Sequence, residues 1–118
     1  MNNYSKISLS ENGRTELHDA LSLTGAEISV NSLPAGASGP FVHVHRQNEE
    51  IYAVLEGKGK AEIDGESIEI KAGDWVRIAP KAKRRFFAAD DEGIKYICIQ
   101  VKENSLGGYS MADAEIAQ

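Results

Sequence analysis

The chain has 118 residues, a formal net charge of −5 and one cysteine, Cys98. That length fits one domain with one core and one enclosed pocket, while the negative charge argues against a nucleic-acid binder, and no apolar run approaches the roughly 20 residues of a membrane span. A lone cysteine cannot form an internal disulfide, and with no apolar leader after Met1 the expected location is cytoplasmic.

Residues 1–25 are polar and irregular. Leu17 and Leu21 lie four apart, which predicts one or two helical turns within Thr15 to Leu23, in an arm that packs on the rest. From Ala26 onward the pattern is β. Ile28, Val30 and Ser32 start an extended segment that ends at Pro34-Ala35-Gly36. Phe41 to His45 is short and β-prone. Ile51 to Leu55 is apolar and stops at Glu56-Gly57-Lys58-Gly59. Lys60 to Ile63 and Glu66 to Ile70 flank Asp64-Gly65, a pair that predicts a tight hairpin because its turn needs positive φ. Trp75 to Ala79 follows the Ala72-Gly73-Asp74 turn and closes at Pro80. In Lys81-Ala82-Lys83-Arg84-Arg85 the lysines read as a solvated surface stretch. Arg85 to Ala88 and Ile94 to Val101 complete about eight short strands, a spacing typical of a sandwich or barrel. The tail from Glu103 forms either a short helix or an extended strap, and Trp75 packs either under the arm or in a dimer interface.

His43 and His45 leave the same face of an extended segment, because side chains alternate along a strand. Arg46-Gln47-Asn48 forms a polar bend, and Glu49-Glu50 enters the next strand. If the two segments pair as a hairpin, a carboxylate sits opposite both imidazoles. Two nitrogens and one oxygen then form a facial triad suited to Fe(II), and also to Mn, Ni, Zn or Co. His18 is the third histidine and reads as a surface or packing residue.

With His43-Val44-His45, four residues, Glu50, six residues and Gly57, the chain resembles the cupin superfamily. The phrase from Glu50 to Gly57 selects Glu50 over Glu49. The resemblance implies an all-β fold, a double-stranded β-helix or jelly-roll barrel over 26–101, with an arm at 1–25 and a tail at 102–118 in a single domain. It also implies a metal site inside the barrel, held by His43, His45 and Glu50. The family's second motif is half kept. Gly73-Asp74 and Pro80 fit, Ala82 replaces a glycine, and Arg85 stands where the family places a fourth ligand, a histidine. Arginine offers no lone pair to a metal.

An inward Arg85 needs a partner, because an unpaired buried charge is costly. That partner is either Glu50, in a salt bridge replacing the metal, or an anionic group on a substrate. A one-residue slip would turn Arg84 inward instead. Tyr52 shares parity with Glu50, so Tyr52 and Arg85 are the candidate catalytic residues. Phe41, Cys98 and Gln100 join them as candidate substrate contacts, with Phe41 as core or pocket wall, Cys98 as a buried inert thiol or pocket lining, and Phe87 on the parity of Arg85. The expected function is to bind a divalent metal and a small anionic molecule, with isomerisation or dioxygenation as the reactions the resemblance implies. A metal-free small-molecule binder is the alternative, and a homodimer joined through sheet edges is the expected assembly.

Overall fold

The computed structural model describes residues 3–9, 13–109 and 113–117. It holds seven strands and one short helix, in the order β1 (Arg14–Glu16), α1 (His18–Leu21), β2 (Glu27–Leu33), β3 (Asn48–Ile63), β4 (Glu66–Lys71), β5 (Trp75–Ile78), β6 (Arg84–Ala88) and β7 (Ile94–Lys102). All strand pairings are antiparallel, giving a barrel of jelly-roll type. No helix among the described residues is long and apolar enough to cross a membrane.

One strand organises the barrel. The sequence pattern predicts two strands, Ile51 to Leu55 and Lys60 to Ile63, but the chain runs through both as β3, which is 16 residues long. Its first half lies between β5 and β7, and its second half between β4 and β6. The change of neighbours falls at a bulge between Val54 and Glu56, which bends and twists the strand. Gly57 follows at φ +78°, and a Cβ there would lie 1.9 Å from the carbonyl oxygen of Gly93. The glycine that ends the first motif is thus required twice, for its backbone conformation and for the approach of β7.

Below the bulge, Asp64 (φ 50°) and Gly65 (φ 83°) make the expected two-residue hairpin between β3 and β4. Inside the barrel, Tyr52, Phe86 and Tyr96 stack, with ring centroids 4.2 Å apart for Tyr52–Phe86 and 5.2 Å for Phe86–Tyr96. Val54, Ala61, Ile70, Ile78, Ala88 and Ile94 complete the core around them.

Several expectations need correction. The N-terminal segment is more than an arm, because Arg14–Glu16 pairs with Asn31, Val30 and Ser29 as an edge strand, and the helix is confined to His18–Leu21. The segment from Phe41 to His45 does not pair with β3 as a hairpin. Its one bridge is to β6, where His43 and Arg84 exchange backbone hydrogen bonds. Trp75 is 66% exposed on β5, so it does not pack under the arm. Residues 113–117 form no helix or strand, and Ser110, Met111 and Ala112 of the expected tail element lie outside the described residues.

Replacing Gly57 by Ala should cost about 2–4 kcal/mol, combining the left-handed backbone penalty with the clash against Gly93. Gly65→Ala, at φ +83° with open space around it, should cost only about 1–2 kcal/mol. Urea midpoints of the two variants check the difference; equal losses would show that backbone conformation alone, and not strand approach, fixes Gly57.

Candidate functional site

The site forms at one end of the barrel, where a cavity of about 630 Å³ opens above the aromatic stack. His43 and His45 enter it from the segment before β3, which is tied down by His43 N–H to Arg84 O and His45 N–H to Pro80 O. Glu50 enters from the middle of the sheet, paired with Ile78 on one side and Gln100 on the other. The alternation of His43 and His45 delivers both rings to one side, with Val42 and Val44 exposed on the other. The two rings meet edge to face at 5.2 Å.

Glu50 is 3% exposed, and its carboxylate is met by four groups. Oε1 accepts from the Tyr52 hydroxyl at 2.6 Å and from Arg84 Nη1 at 2.7 Å. Oε2 lies 3.0 Å from His45 Nε2 and accepts from the Cys98 thiol at 3.3 Å. His43 Nε2 stands 3.8 Å from Oε1. Burial pushes the Glu50 pKa up, but the hydrogen bonds from Tyr52, Arg84 and Cys98 outweigh it and hold the group below its ordinary value. Burial lowers His43; Glu50 opposes that, and the neighbouring His45, Arg84 and Arg14 add to it. Tyr52 is driven far up, first by burial, and so stays a neutral donor.

Arg84, not Arg85, is the inward arginine. The pairing of β6 with β3 sets Arg84 opposite Ile63 and Phe86 opposite Ala61, so Arg84, Phe86 and Ala88 face the interior. Arg84 is 0% exposed. Besides Glu50 it donates to the carbonyls of Ala79, Pro80 and Ala82, the turn that leads into its own strand. The salt bridge considered for Arg85 therefore exists with its neighbour. Arg85 lies on the other parity, donating to Gly39 O and Ser38 Oγ, with its guanidinium over the Phe87 ring. It still borders the cavity, at its rim. Phe41 is 64% exposed, a rim residue and not core.

Tyr52, Cys98 and Gln100 line the cavity with Tyr96. His18 is on α1 beside Asp19 and is not part of the cluster. Sequence reasoning missed Arg14, Ser29 and Asn31, which also line the cavity. On β2 the polar residues Ser29 and Asn31 are buried, whereas Ile28 and Val30 take the opposite face. Alternation was visible in the sequence, but the apolar side was not the inner one.

The His43, His45 and Glu50 donor atoms lie within 4.8 Å of one another. Ligand bonds of about 2.0–2.2 Å bring the donors around one ion into that range, and two imidazoles with a carboxylate are a donor set for first-row divalent metals. The three residues therefore fit a metal. Arg84 and Tyr52 hold Oε1 from behind, as outer partners commonly hold a ligating carboxylate.

Burial and then the Glu50 charge push the Cys98 thiol up to about 12 from an ordinary 9.0. A raised value means that the folded chain keeps this proton longer, so its contribution to stability is intact below the ordinary value and is lost as pH rises toward 12. At pH near 8.5, alkylation of Cys98 by iodoacetamide should be about a hundredfold or more slower in the folded protein than in urea. Equal rates would show an ionised, reachable thiol.

The cupin domain family model matches residues 29–100. A cupin protein from Bacteroides fragilis is 58% identical, with all of both chains covered and a TM-score of 0.97. A Cupin 2 conserved barrel domain protein from Salinispora arenicola shares the fold at 19% identity, covering 86% of this chain and 92% of its own, with a TM-score of 0.72. An uncharacterised protein of Methanocaldococcus jannaschii is 35% identical over 86 residues, which are 73% of this chain. The match spans 64% of that relative's length. From its barrel, its motif residues and these likenesses together, the chain belongs to the cupin family.

Proposed function

We propose that the protein binds a divalent metal through His43, His45 and Glu50 and, beside it, a small anionic molecule in the cavity. The observation that carries this reading is the convergence of three donor side chains within 4.8 Å at the cavity wall, with the carboxylate pinned by two further residues. A bound divalent ion would supply Lewis acidity toward a substrate oxygen or, as iron, a site for dioxygen. The chain's own residues set the surroundings. Arg84 offsets the Glu50 charge, Tyr52 and Cys98 present neutral donors, and the stacked rings of Tyr52, Phe86 and Tyr96 close the cavity from below. Arg85 at the rim is a contact for the anionic group. These features support isomerisation and dioxygenation alike, and the metal's identity separates the two.

A second reading, a metal-free binding cupin, is favoured by one specific feature, the buried Arg84–Glu50 ion pair at 2.7 Å. It already balances the carboxylate's charge, which weakens the pull on a cation.

Metal content per purified chain, measured by inductively coupled plasma mass spectrometry, tests the choice. Near-stoichiometric metal in the wild type, falling at least about tenfold in His43→Ala and Glu50→Gln, supports the metal reading. Less than a tenth of an equivalent after reloading rejects it in favour of the second.

Removing one partner of a buried pair leaves an uncompensated charge. In metal-free protein, Arg84→Met should therefore cost about 3–5 kcal/mol in urea denaturation. Adding Glu50→Gln to it should recover part of that loss. A double variant no more stable than Arg84→Met would place the role of Arg84 in its contacts with the 79–82 turn.

A further inference from the structure

We propose that Arg14, from the edge strand β1, binds the oxyanion group, carboxylate or phosphate, of the molecule held in the cavity. This deepens the reading of the cavity as a ligand site, and it concerns a residue outside the matched cupin segment 29–100.

The support begins with the inner face of β2. Ser29 and Asn31 are buried polar residues lining the cavity, where a barrel with nothing to bind would carry apolar side chains. Asn31 is engaged at both ends of its amide: Nδ2 donates to Ser29 Oγ at 3.0 Å, and Oδ1 accepts from Arg14 Nη1 at 2.7 Å. A buried amide thus aims an arginine that itself lines the cavity. Ser29 accepts from Asn31, and among the described residues its hydroxyl has no acceptor for its own proton, so it can donate into the cavity.

Of the other cavity cations, Arg84 is more heavily engaged than Arg14, and Arg85 is engaged to the same extent but also lies over the Phe87 ring. Arg84 spends its donors on Glu50 and three carbonyls. Arg85 has committed Nε and Nη2 to Gly39 and Ser38. The carboxylate nearest Arg14 is Glu16, at 3.2 Å, with both side chains more than half exposed. Such a surface pair is worth little and yields to a better ligand. Glu27 also borders the cavity, but its Oε1 accepts from the His18 backbone N–H, and it lies four residues along β2 from Asn31, about 13 Å away. A guanidinium with open donors, aimed by a buried amide into a cavity, is suited to a carboxylate or phosphate, which it can hold by two parallel hydrogen bonds.

The test is calorimetric titration of metal-free protein with inorganic phosphate and, separately, with malonate, comparing wild type, Arg14→Gln and Arg14→Lys. Metal content of each variant is measured in parallel. The expected result is binding of at least one anion by the wild type, weakened about tenfold or more in Arg14→Gln and less in Arg14→Lys, with melting temperature and metal content unchanged. Binding of phosphate alone identifies a phosphate ester as the ligand class, malonate alone a carboxylate, and both a general oxyanion site. Equal affinity in Arg14→Gln, or no binding of either anion by the wild type, overturns the role of Arg14. Absence of metal in every variant, with anion binding still dependent on Arg14, rejects the metal site and leaves this inference standing.

Discussion

Glu50 sits in the middle of a sheet, almost free of solvent, and yet its surroundings favour the ionised form. Burial alone would neutralise it. Four neighbours prevent that, and each comes from a different place: Tyr52 from the same strand, Arg84 from β6, Cys98 from β7 and His45 from the segment before β3. The carboxylate is therefore the point at which the closure of the barrel is checked. If β6 were displaced by one residue, its two faces would exchange, and Arg84, Phe86 and Ala88 would leave the interior together. The 79–82 turn is bound into the same arrangement, because its carbonyls occupy the remaining donors of Arg84.

This dependence explains how an ion pair and a candidate set of three metal donors can share one residue. The two carboxylate oxygens are divided, Oε1 toward Arg84 and Tyr52, Oε2 toward His45 and Cys98. An arginine at this place sets the orientation and the charge of a ligand without occupying its second oxygen. The cavity wall formed by β1 and β2 is independent of that arrangement. Its polar residues are joined to one another, not to Glu50, so the molecule has two separate polar surfaces facing one space.

Much of this was legible in the sequence. The spacing from His43 to Gly57 located three candidate ligands and the barrel, and Asp64-Gly65 marked its hairpin. The adjacent arginines were not resolved, because nothing in Lys81-Ala82-Lys83 states the register of β6. That register is set by pairing with Ile63 and by the backbone exchange with His43, both distant in sequence. On β2, the alternation of Ile28 and Val30 marked a strand without saying which face is inner, and the barrel interior at that level is the polar cavity lined by Ser29 and Asn31. β1 was hidden for a different reason: three residues are too few to show a period of two, and Leu17 and Leu21 beside them carry a helical one.

Because β3 touches β4, β5, β6 and β7, the molecule has a definite order of dependence during folding. Only the pairing with β4 is local, across a two-residue turn. The other three close long loops, which is entropically slow. The site draws on the late pairings, since Arg84, Cys98 and Gln100 reach Glu50 only when β6 and β7 are in place. A chain that has formed its hairpin but not its barrel holds neither the ion pair nor the cavity. The site is thus complete only in the finished barrel, and a molecule spanning it would tie β6 and β7 to β3.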